Sequence, residues 1–181
     1  MYNIRHKKEE RADLDYYSTD PDSVRALLAV EKFNTNILEP ACGGGAISET
    51  LKQANYSVKS SDLVPRGYGE VKDFFKIDSW EGDIVTNPPY TEALEFVLHA
   101  LKITQEGGKT AMLLRLQFLE GSKRYLKLFE TDPPKYVYLF VKRQKCFKNG
   151  ILEPVGGSAV AYAWFVWLKG SKTEPILRWL N

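Results

Sequence analysis

Cysteine and histidine are scarce in this chain, with two of each among 181 residues. Cys42 and Cys146 form no CxxC pair, and His6 and His99 stand alone. The residue types that build zinc centres are too few and too scattered, so no metal site is expected. Long apolar runs are missing as well. No stretch reaches the ~20 residues that a membrane-crossing helix needs. The opening MYNIRHKKEER is polar from the start, so no signal peptide or membrane span is read and the expected location is cytoplasmic. There is no internal repeat, low-complexity tract or Pro/Gly/Ser-rich linker. The expectation is therefore one domain over residues 1–181, without a separate target-recognition domain. An excess of one charge sign is lacking too: 25 basic against 23 acidic residues leave a formal net charge of +2, too little to demand a nucleic-acid partner.

What is present is ordinary globular material, 44% hydrophobic and 27% charged, in a chain long enough to bury roughly 70% of its unfolded surface. TDPDSVRALLAVEKF opens with a cap signal and sets Val24, Leu27, Leu28 and Phe33 on one helical stripe. NILEPA, YSVKSSDL, GDIVT and GKTAMLLRL are strand candidates. GGGAISETLKQAN reads as a glycine turn feeding a helix. TEALEFVLHALKI, with Leu94, Val97, Leu98 and Leu101 at helical spacing, and EGSKRYLKLFE are further helices. KYVYLFVKR and SAVAYAWFVWLK suggest an antiparallel hairpin. Strands alternating with helices predict an α/β fold, a mostly parallel twisted sheet with helices on both faces and the hairpin on one edge.

In such sheets ligands sit beyond the carboxyl ends of the strands, and Glu39, Asp62 and Asn87 stand at three of these ends. After the first, glycines at 43, 44 and 45 permit a tight turn and close backbone approach to a ligand. Gly43, Gly45 and Ser48 make a loose G-x-G-x-x-S match, and Asp62 lies about 20 residues on, where an acid can bind ribose hydroxyls. That pattern suits a nicotinamide dinucleotide and S-adenosylmethionine equally, since both carry an adenosine. After the third end come Asn87-Pro88-Pro89-Tyr90. Two prolines cannot continue a ladder or a helix interior, so this is a stiff corner.

Taken in order, YYSTDP, LEPACGGG, SDL, KDFF and TNPPY resemble the class I S-adenosylmethionine-dependent amino-methyltransferases, specifically the N6-adenine DNA methyltransferases of short phage and prophage type. The resemblance implies a Rossmann-like fold, S-adenosylmethionine as cofactor with S-adenosylhomocysteine as product, and DNA as partner. It implies Thr19 and Glu39, with Pro40, Ala41 and Gly43, near the cofactor's methionine part. Asp62 would hold its ribose, Asp73 and Phe74 would lie at its adenine, Leu63 would be a further cofactor contact, and Asn87 would stand beside the reacting centre. Pro88, Pro89 and Tyr90 complete the catalytic set, and Phe147 matches a second aromatic against a flipped base. Two positions depart from the pattern: Asp20 separates Thr19 from Pro21, and Cys42 sits inside the glycine motif.

The corner has chemistry suited to an amine. An exocyclic aromatic amine is a poor nucleophile because its lone pair is delocalised. Two acceptors aimed at its N–H bonds favour a tetrahedral nitrogen. The Asn87 side-chain oxygen and the Pro88 carbonyl can supply them, while Tyr90 offers a face for stacking. A Pro-Pro turn capping the next helix is the plain structural alternative. The stretch 135–150 holds five basic residues and no acidic one. Within it Lys142, Arg143, Lys145 and Lys148 suit phosphates, or form a solvated loop. Arg115, Lys123 and Arg124 could extend that surface. The motif also fits RNA adenine, cytosine N4 and protein glutamine, and a cofactor-binding module without turnover would keep the glycines and Asp62. Sequence choice would come from loops 64–70 and 142–157, from a homodimer or from a specificity partner.

Overall fold

A computed structural model describes residues 17–142, 144, 146–148 and 160–181. Its strands are β1 (Tyr17–Thr19), β2 (Asn36–Glu39), β3 (Ser57–Asp62), β4 (Glu70–Val71), β5 (Asp83–Thr86), β6 (Lys109–Arg115), β7 (Tyr136–Phe140), β8 (Cys146–Lys148), β9 (Tyr162–Leu168) and β10 (Ile176–Leu180). The main helices are α1 (Pro21–Val30), α2 (Ala46–Gln53) and α3 (Ala93–Ile103). Eight strands form one sheet in the order β10-β7-β9-β6-β5-β2-β3-β4, and β1 pairs separately with β8. Within the sheet all neighbours are parallel except β9, which runs antiparallel to both β6 and β7. This is the expected α/β class.

Period-two alternation decides which face each central residue serves. Leu38, Ile84, Met112, Leu114, Ala163 and Phe165 lie on one face with Leu94, Val97 and Ala100 of α3. Ile37, Val85, Ala111, Leu113, Trp164 and Val166 lie on the other with Val24 and Leu27 of α1 and Ile47 and Leu51 of α2. Because both faces are covered, the middle strands read as continuous apolar runs. In α3, Leu98 and Leu101 are only partly buried, and Phe96 and Ile103 share the burial with Leu94 and Val97.

The expected edge hairpin is corrected in position. β7 and β9 do pair antiparallel, but β9 lies inside the sheet, and the edge is β10, parallel to β7. β10 escapes a pattern search because Ile176 to Trp179 are all exposed, so it shows no alternation. The helix expected in EGSKRYLKLFE is one short turn, Ser122–Arg124, followed by a wider turn over Tyr125–Phe129. There Glu130 N donates to Tyr125 O at 2.9 Å, and Leu128 alone of the turn is fully buried.

The site-bearing β5 is anchored at its start by Asp83, a buried carboxylate. It accepts from Asn34 N at 2.6 Å, Asn34 Nδ2 at 2.8 Å and Lys109 N at 2.7 Å. Asp83→Ala strands two backbone donors, and a stranded donor costs about 1–3 kcal/mol. Chemical denaturation should therefore show a loss of about 2–6 kcal/mol, with Asp83→Asn recovering part of it.

Candidate active-site cleft

The carboxyl ends of β2, β3 and β5 lie side by side, and the chain switches direction across the sheet between β2 and β5. A crevice is expected at such a switch point. A cleft opens there, about 790 Å³ when the space open to solvent is included. Its walls include Thr19, Glu39, Pro40, Ala41, Asp62, Leu63, Asp73, Phe74, Asn87, Pro88, Pro89 and Tyr90. All of the cofactor and catalytic candidates except Gly43 therefore meet in one place, although they span some 70 positions of sequence.

Gly43 stands just behind the wall. Its N–H donates to Asp62 Oδ2 at 2.8 Å, and Asp62 Oδ1 accepts from Val64 N at 3.0 Å. Asp62 thus ties the glycine turn after β2 to the end of β3. A carboxylate has about four acceptor sites, so lone pairs remain for hydroxyls. Gly45, at φ 87°, begins α2, and a Cβ there would meet the Tyr68 ring at 2.6 Å. The Gly45 position thus requires glycine twice over, by conformation and by contact.

Glu39 is 1% exposed and accepts from Ser48 Oγ. Ser48 Oγ in turn lies 2.6 Å from Ser60 Oγ. Burial pushes the Glu39 carboxyl up to about 8, against the opposing Ser48 bonds, with the charge of Asp62 adding to the rise. Burial likewise pushes the Cys42 thiol up to about 12, with Glu39 and Asp62 adding to it. This keeps Cys42 a neutral packing residue against Tyr68 O at 3.5 Å.

The two departures from the pattern are absorbed locally. Asp20 caps α1, accepting from Asp22 N at 2.9 Å. Thr19 stays in β1, where its Oγ1 accepts from Asn87 Nδ2 at 3.0 Å across 68 positions. That bond assigns the Asn87 nitrogen as donor to Thr19 and leaves the amide oxygen to act as acceptor. The turn-and-cap alternative predicts a side-chain cap where the chain enters the next helix. The chain passes through one turn, Tyr90–Glu92, into α3, and neither start has a side-chain cap.

Phe74 is both core and wall. It packs on Phe96 at 4.9 Å and edge-on to His99 at 4.8 Å, while lining the cleft. Asp73 caps the turn Phe74–Lys76, accepting from Phe75 N at 3.1 Å. Arg115 lies over Tyr90, its guanidinium carbon 4.6 Å from the ring centre. Lys123 and Arg124 are engaged within the chain: Lys123 reaches Glu95 at 3.4 Å, and Arg124 donates to Glu120 O at 2.6 Å. Lys142 is exposed. Arg143 and Lys145 lie outside the described residues, as does most of 142–157. Phe147 and Lys148 belong to β8, whose backbone pairs Phe147 with Ser18 and Lys148 with Tyr17. Sequence reasoning missed Arg66, Phe75 and Phe96 as lining residues. The aromatic run FF was the one available signal for Phe75.

No protein-family model and no curated protein sequence matches the chain. Solved structures do share its fold. A predicted O-methyltransferase from Agrobacterium tumefaciens has 16% identity over 88% of this chain and 85% of its own, with a TM-score of 0.62. A TehB-like S-adenosylmethionine-dependent methyltransferase from Corynebacterium glutamicum has 16% identity over 93% and 96%, with a TM-score of 0.55. A protein assigned as the modification subunit of a type I restriction enzyme from Vibrio vulnificus has 13% identity over 97% of this chain and 50% of its own, with a TM-score of 0.62. The chain thus shares the Rossmann-like α/β fold of these solved structures. Among the described residues no helix is long and apolar enough to cross a membrane, and no metal-binding cluster is found.

Two outcomes follow from this geometry. Between about 4.5 and 8 the folded state holds a proton on Glu39 that the unfolded state releases, so this residue's contribution to stability is present at low pH and is lost as pH rises to 8. Glu39→Gln removes that titration, and its melting temperature relative to the parent should rise between pH 5 and pH 8. Gly45→Ala should cost about 1–3 kcal/mol, read as a lower melting temperature at every pH of the same series.

Proposed function

We propose that this protein transfers a methyl group from S-adenosylmethionine to an exocyclic amine, adenine N6 in DNA, as a single cytoplasmic catalytic domain. One observation carries the assignment. Asn87, its nitrogen held by Thr19 at 3.0 Å, presents an acceptor oxygen beside Pro88 and Tyr90, in the same cleft as Glu39, Asp62 and Asp73.

The residues present fit the cofactor. The glycine turn at 43–45 admits a close backbone approach, and Asp62 keeps lone pairs for ribose hydroxyls. Asp73 and Phe74 suit an adenine amino group and ring, and Glu39 and Thr19 suit a cationic methionine end. Bound there, S-adenosylmethionine supplies an electrophilic methyl on a sulfonium.

The chain's own part is positioning and electrostatics. Asn87 Oδ1 and the Pro88 carbonyl accept the two amine hydrogens, drawing nitrogen toward tetrahedral geometry and bringing its lone pair out. Pro88 and Pro89 fix φ on this corner, so the acceptors are in place before positive charge develops on nitrogen. Tyr90 stacks the base, which must leave a duplex to arrive. β8 runs beside β1, whose Ser18 and Thr19 line the cleft, and this supports Phe147 as a second contact to the base. Arg143, Lys145 and Lys148, with Lys142, are assigned to phosphates. Likeness in fold to a restriction-enzyme modification subunit supports a nucleic-acid substrate. Sequence choice would fall to the loops, a second copy or a partner.

The test is incubation of the pure protein with labelled cofactor and DNA, RNA or protein, followed by mass spectrometry. N6-methyladenine in DNA is expected, whereas methylcytosine or methylglutamine would reassign the substrate. Asn87→Ala should lower turnover by about 10²–10³ while S-adenosylhomocysteine affinity changes little. Asn87→Asp, which keeps an acceptor oxygen, should retain more activity than alanine.

A further inference from the structure

The Tyr90 ring is covered by its own chain. Arg115 ends β6 with its guanidinium carbon 4.6 Å from the ring centre, within cation–π range. Tyr162 also packs on that ring, 5.7 Å between centres and tilted by 38°. Tyr162 stands opposite Arg115 in the β6–β9 pairing and is buried on a strand covered on both faces, so it is held in place. Arg115 is half-buried, on a flexible stem at a strand end, and is the neighbour able to leave. Its Nε is buried without a hydrogen-bond acceptor. Among the described residues no carboxylate pairs with it, whereas Lys109, Lys123 and Lys172 each have one.

We propose that Arg115 is a positioning residue that makes the cleft selective for an amine carried on a nucleotide. With no substrate it covers Tyr90. When a base stacks, the guanidinium gives up the ring and takes the phosphate next to that base. This rests on Tyr90 being the stacking platform for the methylated base, as argued above, and it specifies what that base must be attached to.

The exchange on the ring is close to neutral, because a cation–π contact and a stacked base are of similar worth. What decides it is the fate of the displaced guanidinium. Beside a nucleotide it finds an anion that accepts two parallel N–H bonds, and the orphaned Nε gains a partner. Beside a peptide amide or a free nucleoside there is no such anion, and displacement forfeits the ring contact without replacement. Arg115 thus couples occupancy of Tyr90 to the presence of a phosphate.

The experiment measures affinity, with S-adenosylhomocysteine bound, for adenosine and for a short single-stranded oligodeoxynucleotide holding one adenine. In Arg115→Ala the oligonucleotide should bind about 10- to 100-fold more weakly, while adenosine binds as well as before or better. Arg115→Lys should recover part of the oligonucleotide affinity, being charged but lacking the planar fork. Arg115→Gln, which keeps a long polar side chain, serves if the alanine variant does not fold. An equal loss on both probes would show that Arg115 only props Tyr90, and so would overturn the proposal. So would a parent protein that binds the oligonucleotide no better than adenosine. Failure of the underlying function is read separately, in the parent protein alone, as methyl label appearing in peptide glutamine and not in nucleic acid.

Discussion

β5 is buried on both faces and then meets two prolines. The first condition makes the strand part of the core, so its position in the sheet is set by packing on Leu38 and Met112 on one side and Ile37 and Ala111 on the other. The second ends its ladder, because proline donates no hydrogen bond and holds φ. Together they place Asn87 and Tyr90 at a fixed point on the carboxyl edge of the sheet, next to the ends of β2 and β3. Every other part of the cleft is arranged around that point.

The polar groups of the cleft also support one another, which is what a preorganised site requires. Asp62 accepts from Gly43 N and Val64 N, Ser48 donates to Glu39, and Asn87 donates to Thr19. The Val64 bond is local, but the other three join different elements, so Asp62, Glu39 and Asn87 line the cleft and also tie its parts together. Glu39 shows the cost of that arrangement, since burial holds its carboxyl up to about 8. A cationic group brought beside it would restore its charge, which couples binding to proton release.

The aromatic and basic groups are less uniform than their residue types suggest. Phe74 belongs to the core and to the cleft wall at once. Of the cations outside the run at 142–148, Lys123 and Arg124 are held by Glu95 and by Glu120 O. Arg115 lies on Tyr90. A charge count treats these three alike, and only their partners separate them.

The sequence by itself determined the elements that bury apolar side chains with a clear period, α1, α3, β5, β6 and β9, and with them the α/β class. It also marked Glu39, Asp62 and Asn87 as polar strand ends, and the two prolines as a stiff corner. These are short-range facts, carried by spacings of two to four residues and by the covalent ring of proline. The tertiary structure decided that β9 lies inside the sheet and that β10, exposed and without alternation, forms its edge. It alone gave Asn87 its partner Thr19, turned Asp62 to Gly43, and set Arg115 on Tyr90. Such pairings join residues far apart in the chain, and their geometry follows from how whole elements pack, which no local pattern records.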